Sequence, residues 1–274
     1  MTIIMDFFTE LFHGGASHSA LASAKAALAT FVKVNNSDEW KNDPVLNRFM
    51  RGCYKSRVPL PRHSGTWDVE VVLKFLDNFE PIEEVTFKEL TLKAVALVAL
   101  ASGSRCQTIH LMDLDFMTMN DDSIQFWFDV PLKTSKPGHK SHTLEFQRFT
   151  TSTRCVLSTL REYIRRTESI RKSRKLWIKV VKPHNEVTKE TIGRWLKKVL
   201  VKADIDKKFT AHSFRMASTS KAAANGLGLE SILQTANWSS ATNFHKFYLR
   251  EVKPSSTKDS KIDFAKAVLT NLKE

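Results

Sequence analysis

The chain has 274 residues, and its 42% hydrophobic content with 18 phenylalanines favours a packed globular protein over a disordered one. Its 42 lysines and arginines outnumber its 29 acidic residues, and the net charge of +13 indicates either a polyanionic partner or simply a basic soluble surface. Three scattered cysteines without metal-ligand spacing argue against a disulfide framework and a zinc site, and they fit a reducing intracellular compartment.

Helical patterns fill the first 60 residues. The opening stretch MTIIMDFFTELFHGG is too short and too acidic for a signal peptide. It is followed by SHSALASAKAALATFV and PVLNRFMRGCYKS, so we expect about three helices here. The two prolines of RVPLPRHSGTW then indicate a linker between this segment and the rest of the chain.

A long apolar helix is predicted after the linker. Thr86 and Glu89 form a capping box in front of TLKAVALVALASGS, and Gly103 ends the helix just before Arg105. This is the longest apolar stretch of the chain, and it falls short of the ~20 residues of a membrane span. We therefore interpret it as a buried helix, and no membrane partner is expected.

A β-hairpin is predicted in the middle of the chain. In SIQFWFDV, the residues Ile124, Phe126, Phe128 and Val130 alternate onto one face, and HTLEF follows as a return strand. Pro137-Gly138 between them is a turn signal.

Helical patterns return after the hairpin and continue to the end. They cover KETIGRWLKKVLVKADI, HSFRMASTSKAAANG, LESILQTAN and ATNFHKFYLRE, with Gly226 at the end of one helix. A last amphipathic helix is predicted around Ile262 to Leu272. The order of elements predicts a mainly α fold with a small antiparallel β-sheet.

One apolar helix carries a polar pair. In AHSFRMASTS, the residues His212 and Arg215 are spaced i and i+3, so both are expected on one outward face while small neighbours pack closely. An arginine fork matches the oxygens of a phosphate, and a histidine beside it exchanges a proton near neutral pH. As an isolated pattern this pair favours a structural role.

The surrounding residues change that interpretation. ASGSRCQT and FDVPLKTSKPG lie upstream of the pair, and ANWSSATNFHKFYLRE lies downstream. Over about residues 63–250 the sequence resembles the tyrosine recombinase, or phage integrase, family. Two segments, HSFRMASTSKAA and NWSSATNFHKFYLR, are most similar to recombinases of eukaryotic mobile elements, the Crypton and DIRS-like groups. The residues that occupy the family's catalytic positions are, in chain order, Arg105, Lys133, His212, Arg215, Trp238 and Tyr248.

The resemblance implies a site-specific recombinase that needs neither metal nor cofactor. Tyr248 would attack a DNA phosphodiester, leaving a 3′-phosphotyrosine and a free 5′-hydroxyl. Arg105 and Arg215 would hold the phosphate oxygens, on which negative charge develops in the transition state.

The remaining positions would supply hydrogen bonds and protons. The resemblance gives Trp238, in place of the commoner histidine, a hydrogen bond from its indole N–H to the phosphate. His212 is the candidate base. Lys133 would protonate the departing 5′-oxygen, with Lys136 as the second choice.

Each of these residues also has a structural interpretation. Arg105 could cap the preceding helix, Trp238 could belong to the core, and Lys133 could be a solvated hairpin lysine. Tyr248 lies beside phenylalanines on its helix and could be a packing residue.

Three features depart from the family pattern. Thr108 stands where many members carry an acidic residue, and the interval from Trp238 to Tyr248 is longer than usual. Too few helices precede the linker for a whole core-binding domain, so we expect a truncated one.

The resemblance also implies double-stranded DNA as the partner, a homo-tetramer on DNA, a nuclear location and no small-molecule substrate. Runs of basic residues are commonly solvated helix faces. Two runs here flank the helix that carries His212 and Arg215, and this arrangement favours contacts with phosphate groups. The residues expected to bind DNA are Lys136, Lys140, Arg171, Lys172, Arg174, Lys175, Arg194, Lys197 and Lys198.

The predicted organisation has three parts. Residues 1–60 form a partial core-binding domain, residues 61–250 form the catalytic domain, and residues 251–274 form a tail whose helix could pack onto a neighbouring subunit. Two alternative functions stay open, namely a catalytically idle, domesticated DNA-binding protein and a type IB topoisomerase-like enzyme.

Overall fold

The fold is known from a computed structural model. The residues that it describes are 1–33, 37, 39–58, 65–135, 142–238 and 264–269. The chain divides into two compact units, Met1–Ser64 and Gly65–Glu274. Among the described residues, no helix is long and apolar enough to cross a membrane.

The first unit is helical, as predicted. Its elements are α1 (Thr2–His13), α2 (His18–Phe31), a 3-10 turn (Glu39–Asn42) and α3 (Pro44–Ser56). The hydroxyl of Ser17 accepts a hydrogen bond from the start of α2, and the carboxylate of Asp43 accepts two at the start of α3. Phe8, Leu21 and Leu46 are fully buried and form a small core.

The second unit holds the other α-helices of the described residues. They are α4 (Val69–Asp77), α5 (Phe87–Ser102), α6 (Cys106–His110), α7 (Val156–Thr167), α8 (Lys189–Lys202), α9 (Ser213–Ala224), α10 (Leu229–Thr235) and α11 (Phe264–Leu269). All residues of α5 from Leu90 to Ser102 are buried, so this helix is the centre of the core. Helices α7, α8, α9 and α11 pack around it.

Both ends of α5 follow the local sequence signals. The hydroxyl of Thr86 accepts the backbone N–H of Glu89 at 3.2 Å, and the Glu89 carboxylate accepts the backbone N–H of Thr86 at 3.0 Å, which confirms the capping box. The helix ends at Gly103, whose φ of +57° is left-handed. A Cβ at this position would lie 3.1 Å from the Cβ of Ala236 and 3.3 Å from the Cζ of Phe264, so only glycine fits without displacement.

A three-stranded antiparallel sheet covers one side of the unit. Its strands are β1 (Met117–Met119), β2 (Ser123–Phe126) and β3 (Leu144–Gln147), in that spatial order. The pairs Ile124 with Phe146 and Phe126 with Leu144 are in register, and all four side chains are buried. This confirms the alternation at Ile124 and Phe126, the return strand and the fold class.

The alternating face ends earlier than predicted. Phe128 is buried beyond the end of β2, but Val130 is 41% exposed and does not belong to the face. The strand β2 ends at Phe126, so Val130 lies four residues beyond the ladder.

An ion-pair cluster joins three parts of the second unit. Arg154 donates to Glu70 at 2.8 Å and to Asp77 at 2.6 Å, both on α4, and to the carbonyl of Leu269 on α11 at 3.3 Å. Because the three side chains are only 12–29% exposed, they are largely withdrawn from water. The cluster therefore ties α11 to the body of the unit.

Candidate active site

The site begins at the N-terminal end of α9. His212 precedes the first helical residue and is exposed. Next to it, Ser213 is buried, accepts a hydrogen bond from the indole N–H of Trp67 at 2.8 Å and donates to the carbonyl of Thr210 at 2.7 Å. The start of the helix, and with it the position of His212, is therefore fixed by a buried side chain from the beginning of the unit.

Arg215 lies one turn further along and is buried. Its side chain is only 2% exposed, and Nη1 donates to the carbonyl of Gly103 at 2.6 Å and to the carbonyl of Ala236. The guanidinium carbon lies 4.2 Å from the centre of the Trp238 ring, which is cation–π distance. Two backbone carbonyls and one ring face thus fix the orientation of the fork.

The expectation that His212 and Arg215 share an outward face is therefore wrong for Arg215. Small residues along α9, such as Ala217 and Ser218, are themselves buried and allow the neighbouring helices to approach closely. Arg215 consequently points into the junction where α5 ends and α10 ends, whereas His212 lies before the first turn and remains in solvent.

Arg105 lies at the same junction. It follows Gly103 by two residues and occupies the N-cap position of α6, half-buried. The C-cap of α5 is Gly103, whose N–H bonds to the carbonyl of Ala99. The end of α5 therefore brings the backbone next to Arg105 into contact with Arg215.

Trp238 reaches Arg215 through a tight turn. Its backbone N–H donates to the carbonyl of Leu233 at 2.9 Å, and the preceding Asn237 has a φ of +51°. Asparagine is among the residues that tolerate this left-handed conformation. The half-buried ring contacts the guanidinium through its face, a contact that the sequence did not predict.

Lys133 is exposed in a turn after β2. The hydroxyl of Ser135 accepts the backbone N–H of Leu132 at 2.9 Å, and the Ser135 N–H donates to the carbonyl of Leu132 at the same distance, so the turn closes around Lys133. The other hairpin lysines, Lys136 and Lys140, and Tyr248 lie outside the described residues.

Sequence reasoning missed one histidine near this site. His142 stands just before β3, and its ring lies parallel to that of Phe128, with centroids 6.3 Å apart and planes 4° apart. Burial, together with the charge of Arg215, lowers the pKa of His142 to about 4. Its place in front of the return strand carries no signal that separates it from an ordinary hairpin residue.

The described basic residues expected to bind DNA differ in their partners within the protein. Several have partners within the protein: Arg171 donates to the carbonyls of Lys175 and Leu176, Arg174 pairs with Asp115, Lys175 pairs with Asp113, and Lys197 donates to the carbonyls of Lys207 and Phe209. Lys172, Arg194 and Lys198 are exposed, and Arg194 donates a hydrogen bond to the hydroxyl of Thr191 at 2.8 Å. A hydrogen bond with Lys88, and the positive charge of that residue, lower the pKa of Lys198.

The profile of the phage integrase family matches residues 68–253, which is more than half of the sequence. The chain belongs to the phage integrase family. None of the curated proteins compared with this integrase-family chain matches it significantly.

Several solved structures share its fold. The XerH site-specific recombinase, bound to its palindromic difH substrate after cleavage, gives a TM-score of 0.65 at 15% identity, over 92% of this chain and 69% of XerH. The Tn1549 transposon integrase, in complex with transposon right-end DNA, gives 0.60 at 12% identity, over 90% of this chain and 80% of that one. A lambda integrase dimer bound to a COC′ core site gives 0.53 at 10% identity, over 94% and 82%. At these identities the likeness establishes the fold.

Proposed function

We propose that this integrase-family chain is a site-specific DNA recombinase that cuts and rejoins DNA through a 3′-phosphotyrosine at Tyr248. The observation that carries the proposal is the fixed guanidinium of Arg215, held by the carbonyls of Gly103 and Ala236 and stacked on Trp238. Family membership and the three DNA-bound structures with the same fold support it.

A fixed guanidinium suits phosphate transfer without a metal ion. When a phenol oxygen attacks the phosphorus, negative charge grows on the non-bridging oxygens, and a cation already in place stabilises it without reorganising. Arg105, beside the junction that holds Arg215, is the second cation of the site. Backbone carbonyls hold the guanidinium of Arg215 in one orientation. A bound phosphate would therefore contact a fixed cation rather than a mobile one.

Proton transfer falls to His212 and Lys133, which are exposed in the described part of the chain. His212, in solvent at the start of α9, accepts the phenol proton of Tyr248 as the attack proceeds. Lys133, in the turn after β2, gives a proton to the departing 5′-oxygen. The proton and the charge balance: the P–O5′ bond breaks, the P–O(Tyr) bond forms, and no cofactor is consumed.

The proposed partner is double-stranded DNA, bound by a homo-tetramer. The exposed side chains of Lys172, Arg194 and Lys198 are the strongest candidates for phosphate contacts among the described basic residues. Origin from a eukaryotic mobile element of the Crypton or DIRS-like type, and with it a nuclear location, completes the proposal.

The decisive experiment removes the nucleophile. The chain has three tyrosines, which allows a matched pair of variants, Tyr248→Phe and Tyr54→Phe. Each is incubated with nicked suicide duplexes tiled across the DNA that flanks the gene, and covalent adducts are separated on denaturing gels. We expect the first variant to form no adduct while binding DNA as the wild type does, and the second to form adducts normally.

Two results would contradict the proposal. An adduct of undiminished yield with Tyr248→Phe would exclude this residue as the nucleophile. Tight binding of these duplexes by the wild type without any adduct would instead favour a DNA-binding protein that no longer cuts.

A further inference from the structure

His142 carries an unusual combination of burial and polarity. Its ring is held flat against Phe128, and Nε2 is shut off from solvent without a hydrogen-bond partner among the residues that the structure describes. A buried polar nitrogen without a partner is destabilising, and such groups are few in native proteins, so each calls for a physical explanation such as a catalytic role or a bound water or ion.

A cleft opens beside this histidine. It has a volume of about 830 Å³ and lies between β3 and α10, and His142, Trp238 and Phe264 contribute to its wall. Trp238 is the residue whose ring face contacts Arg215. The cleft therefore adjoins the proposed phosphate site.

Charged groups around the cleft set the state of the imidazole. Arg215 on α9 is close enough for its charge to act on His142, and the acidic residues that line the cleft are Glu145 on β3 and Glu230 on α10. Burial and the Arg215 charge together hold the pKa of His142 near 4, so the ring is neutral at neutral pH. A neutral imidazole has one N–H donor and one acceptor nitrogen.

An anion is the ligand that suits this pair of groups. Phosphate oxygens only accept hydrogen bonds, and the positive charge of Arg215 attracts them. In the tautomer that carries hydrogen on Nε2, His142 offers them a donor without adding a second positive charge beside the guanidinium.

We propose that His142 is a further residue of the active site, which donates a hydrogen bond from Nε2 to a non-bridging oxygen of the phosphate that Arg215 holds. This inference rests on the proposed recombinase function. His142 would then supply an uncharged hydrogen-bond donor from the hairpin side of the cleft. Arg105 and Arg215 supply the positive charges at the end of α5. This role of His142 also gives the stack on Phe128 a purpose, because a ring held flat presents its nitrogen in a fixed direction.

Two substitutions separate the hydrogen bond from the packing. His142→Phe keeps an aromatic ring against Phe128 and removes both nitrogens, whereas His142→Gln places an amide N–H near the position of Nε2. We expect the rate of adduct formation on the nicked duplexes to fall about tenfold to a hundredfold in His142→Phe. The Gln variant should stay within about tenfold of the wild type.

Melting temperature is measured for both variants, because a purely structural role would lower it together with the rate. The inference is overturned if His142→Phe forms adducts at the wild-type rate. It is equally overturned if the Phe and Gln variants are slowed alike, since the donor would then not matter.

A second readout does not depend on strand cleavage. The ring ¹⁵N resonances of His142, assigned by their absence in His142→Phe, are followed at neutral pH in a Tyr248→Phe background as the duplex is added. We expect the Nε2 resonance to move on DNA binding. A resonance unchanged at DNA saturation refutes the role of His142, whereas wild-type protein that forms no adduct refutes the proposed recombinase function instead.

Discussion

Trp238 contacts Arg215 with its ring face, and this contact changes what its substitution should do. A cation–π contact removed from water is worth about 2 kcal/mol, or about thirtyfold in rate if it holds the guanidinium in its reactive orientation. We therefore expect Trp238→Leu to slow adduct formation by about thirtyfold. Trp238→Phe keeps a ring face and should lose less than tenfold, as measured by single-turnover kinetics.

Trp238→Phe also tests the indole N–H, because it removes this donor. The family resemblance implies that the N–H donates a hydrogen bond to the phosphate. If Trp238→Phe and Trp238→Leu are slowed to the same extent, the N–H carries the role of this residue and the stack on Arg215 does not. DNA binding by gel shift should be close to that of the wild type in both variants.

The order of residue types along the chain named candidate residues for the site, but it did not reveal their environments. The carbonyls that hold Arg215 belong to residues 112 and 21 positions away in the sequence, so no local pattern reveals its burial. His142 was missed for the same reason, because its relation to Arg215 exists only after β3 has paired with β2. A spacing rule identifies a histidine and an arginine on one helix, but it cannot show which of them faces solvent.

At the scale of elements, a buried hydrogen bond between Trp67 and Ser213 helps to position the start of α9. Substitution of Ser213 by alanine leaves the Trp67 N–H buried without this partner, and an unsatisfied buried donor costs about 1–3 kcal/mol. We expect Ser213→Ala to lower the free energy of unfolding by that amount in urea titrations followed by circular dichroism. Ser231→Ala, at an exposed position of α10, should change it by less than about 0.5 kcal/mol.

A double-mutant cycle tests the pair directly. Trp67→Phe retains the ring that packs edge-on against Phe214 but removes the donor. If the two substitutions together cost as much as the sum of their separate effects, the hydrogen bond does not couple them, and Ser213 fixes the helix only through the Thr210 carbonyl.

The elements themselves were predicted well wherever the cause is local. The capping box of Thr86 and Glu89 and the left-handed Gly103 act within a few residues, and the observed α5 follows them. The basic runs were harder to interpret because charge alone does not show whether a side chain has an internal partner. Arg171 is held by backbone carbonyls, and burial lowers its pKa, whereas its neighbour Lys172 is exposed.

At the scale of the second unit, the Arg154 cluster connects α4 to the carbonyl end of α11. Removing one partner of a largely buried ion pair leaves the others uncompensated, and we expect Arg154→Met to lower the free energy of unfolding by about 3 kcal/mol at pH 7. Arg148→Met serves as the control, because Arg148 and its partner Asp122 are 54% and 88% exposed. That variant should lose less than about 1 kcal/mol.

The difference between the wild type and Arg154→Met should depend on pH. Burial acts to raise the pKa of Asp77, but the hydrogen bonds and charge of Arg154 outweigh it, so the pKa lies below its ordinary value of 3.8. A carboxylate with a lowered pKa in the folded state contributes stability above its ordinary pKa, and this contribution is lost as the pH falls through the folded value. The difference should therefore be full above about pH 5 and shrink below about pH 4. A difference that stays constant down to pH 3 would exclude Asp77 as its source.

Gly103 has a consequence for anyone who redesigns this protein. Its carbonyl holds Arg215, and its missing side chain admits Ala236 and Phe264 to within 3.1 and 3.3 Å of where a Cβ would stand. The position has no side chain, yet residues of α9 and α11 and the end of α10 all contact it. Substitution libraries for this protein should keep codon 103 fixed together with the codon for Arg215, because a methyl group at position 103 would displace the groups that hold the Arg215 guanidinium.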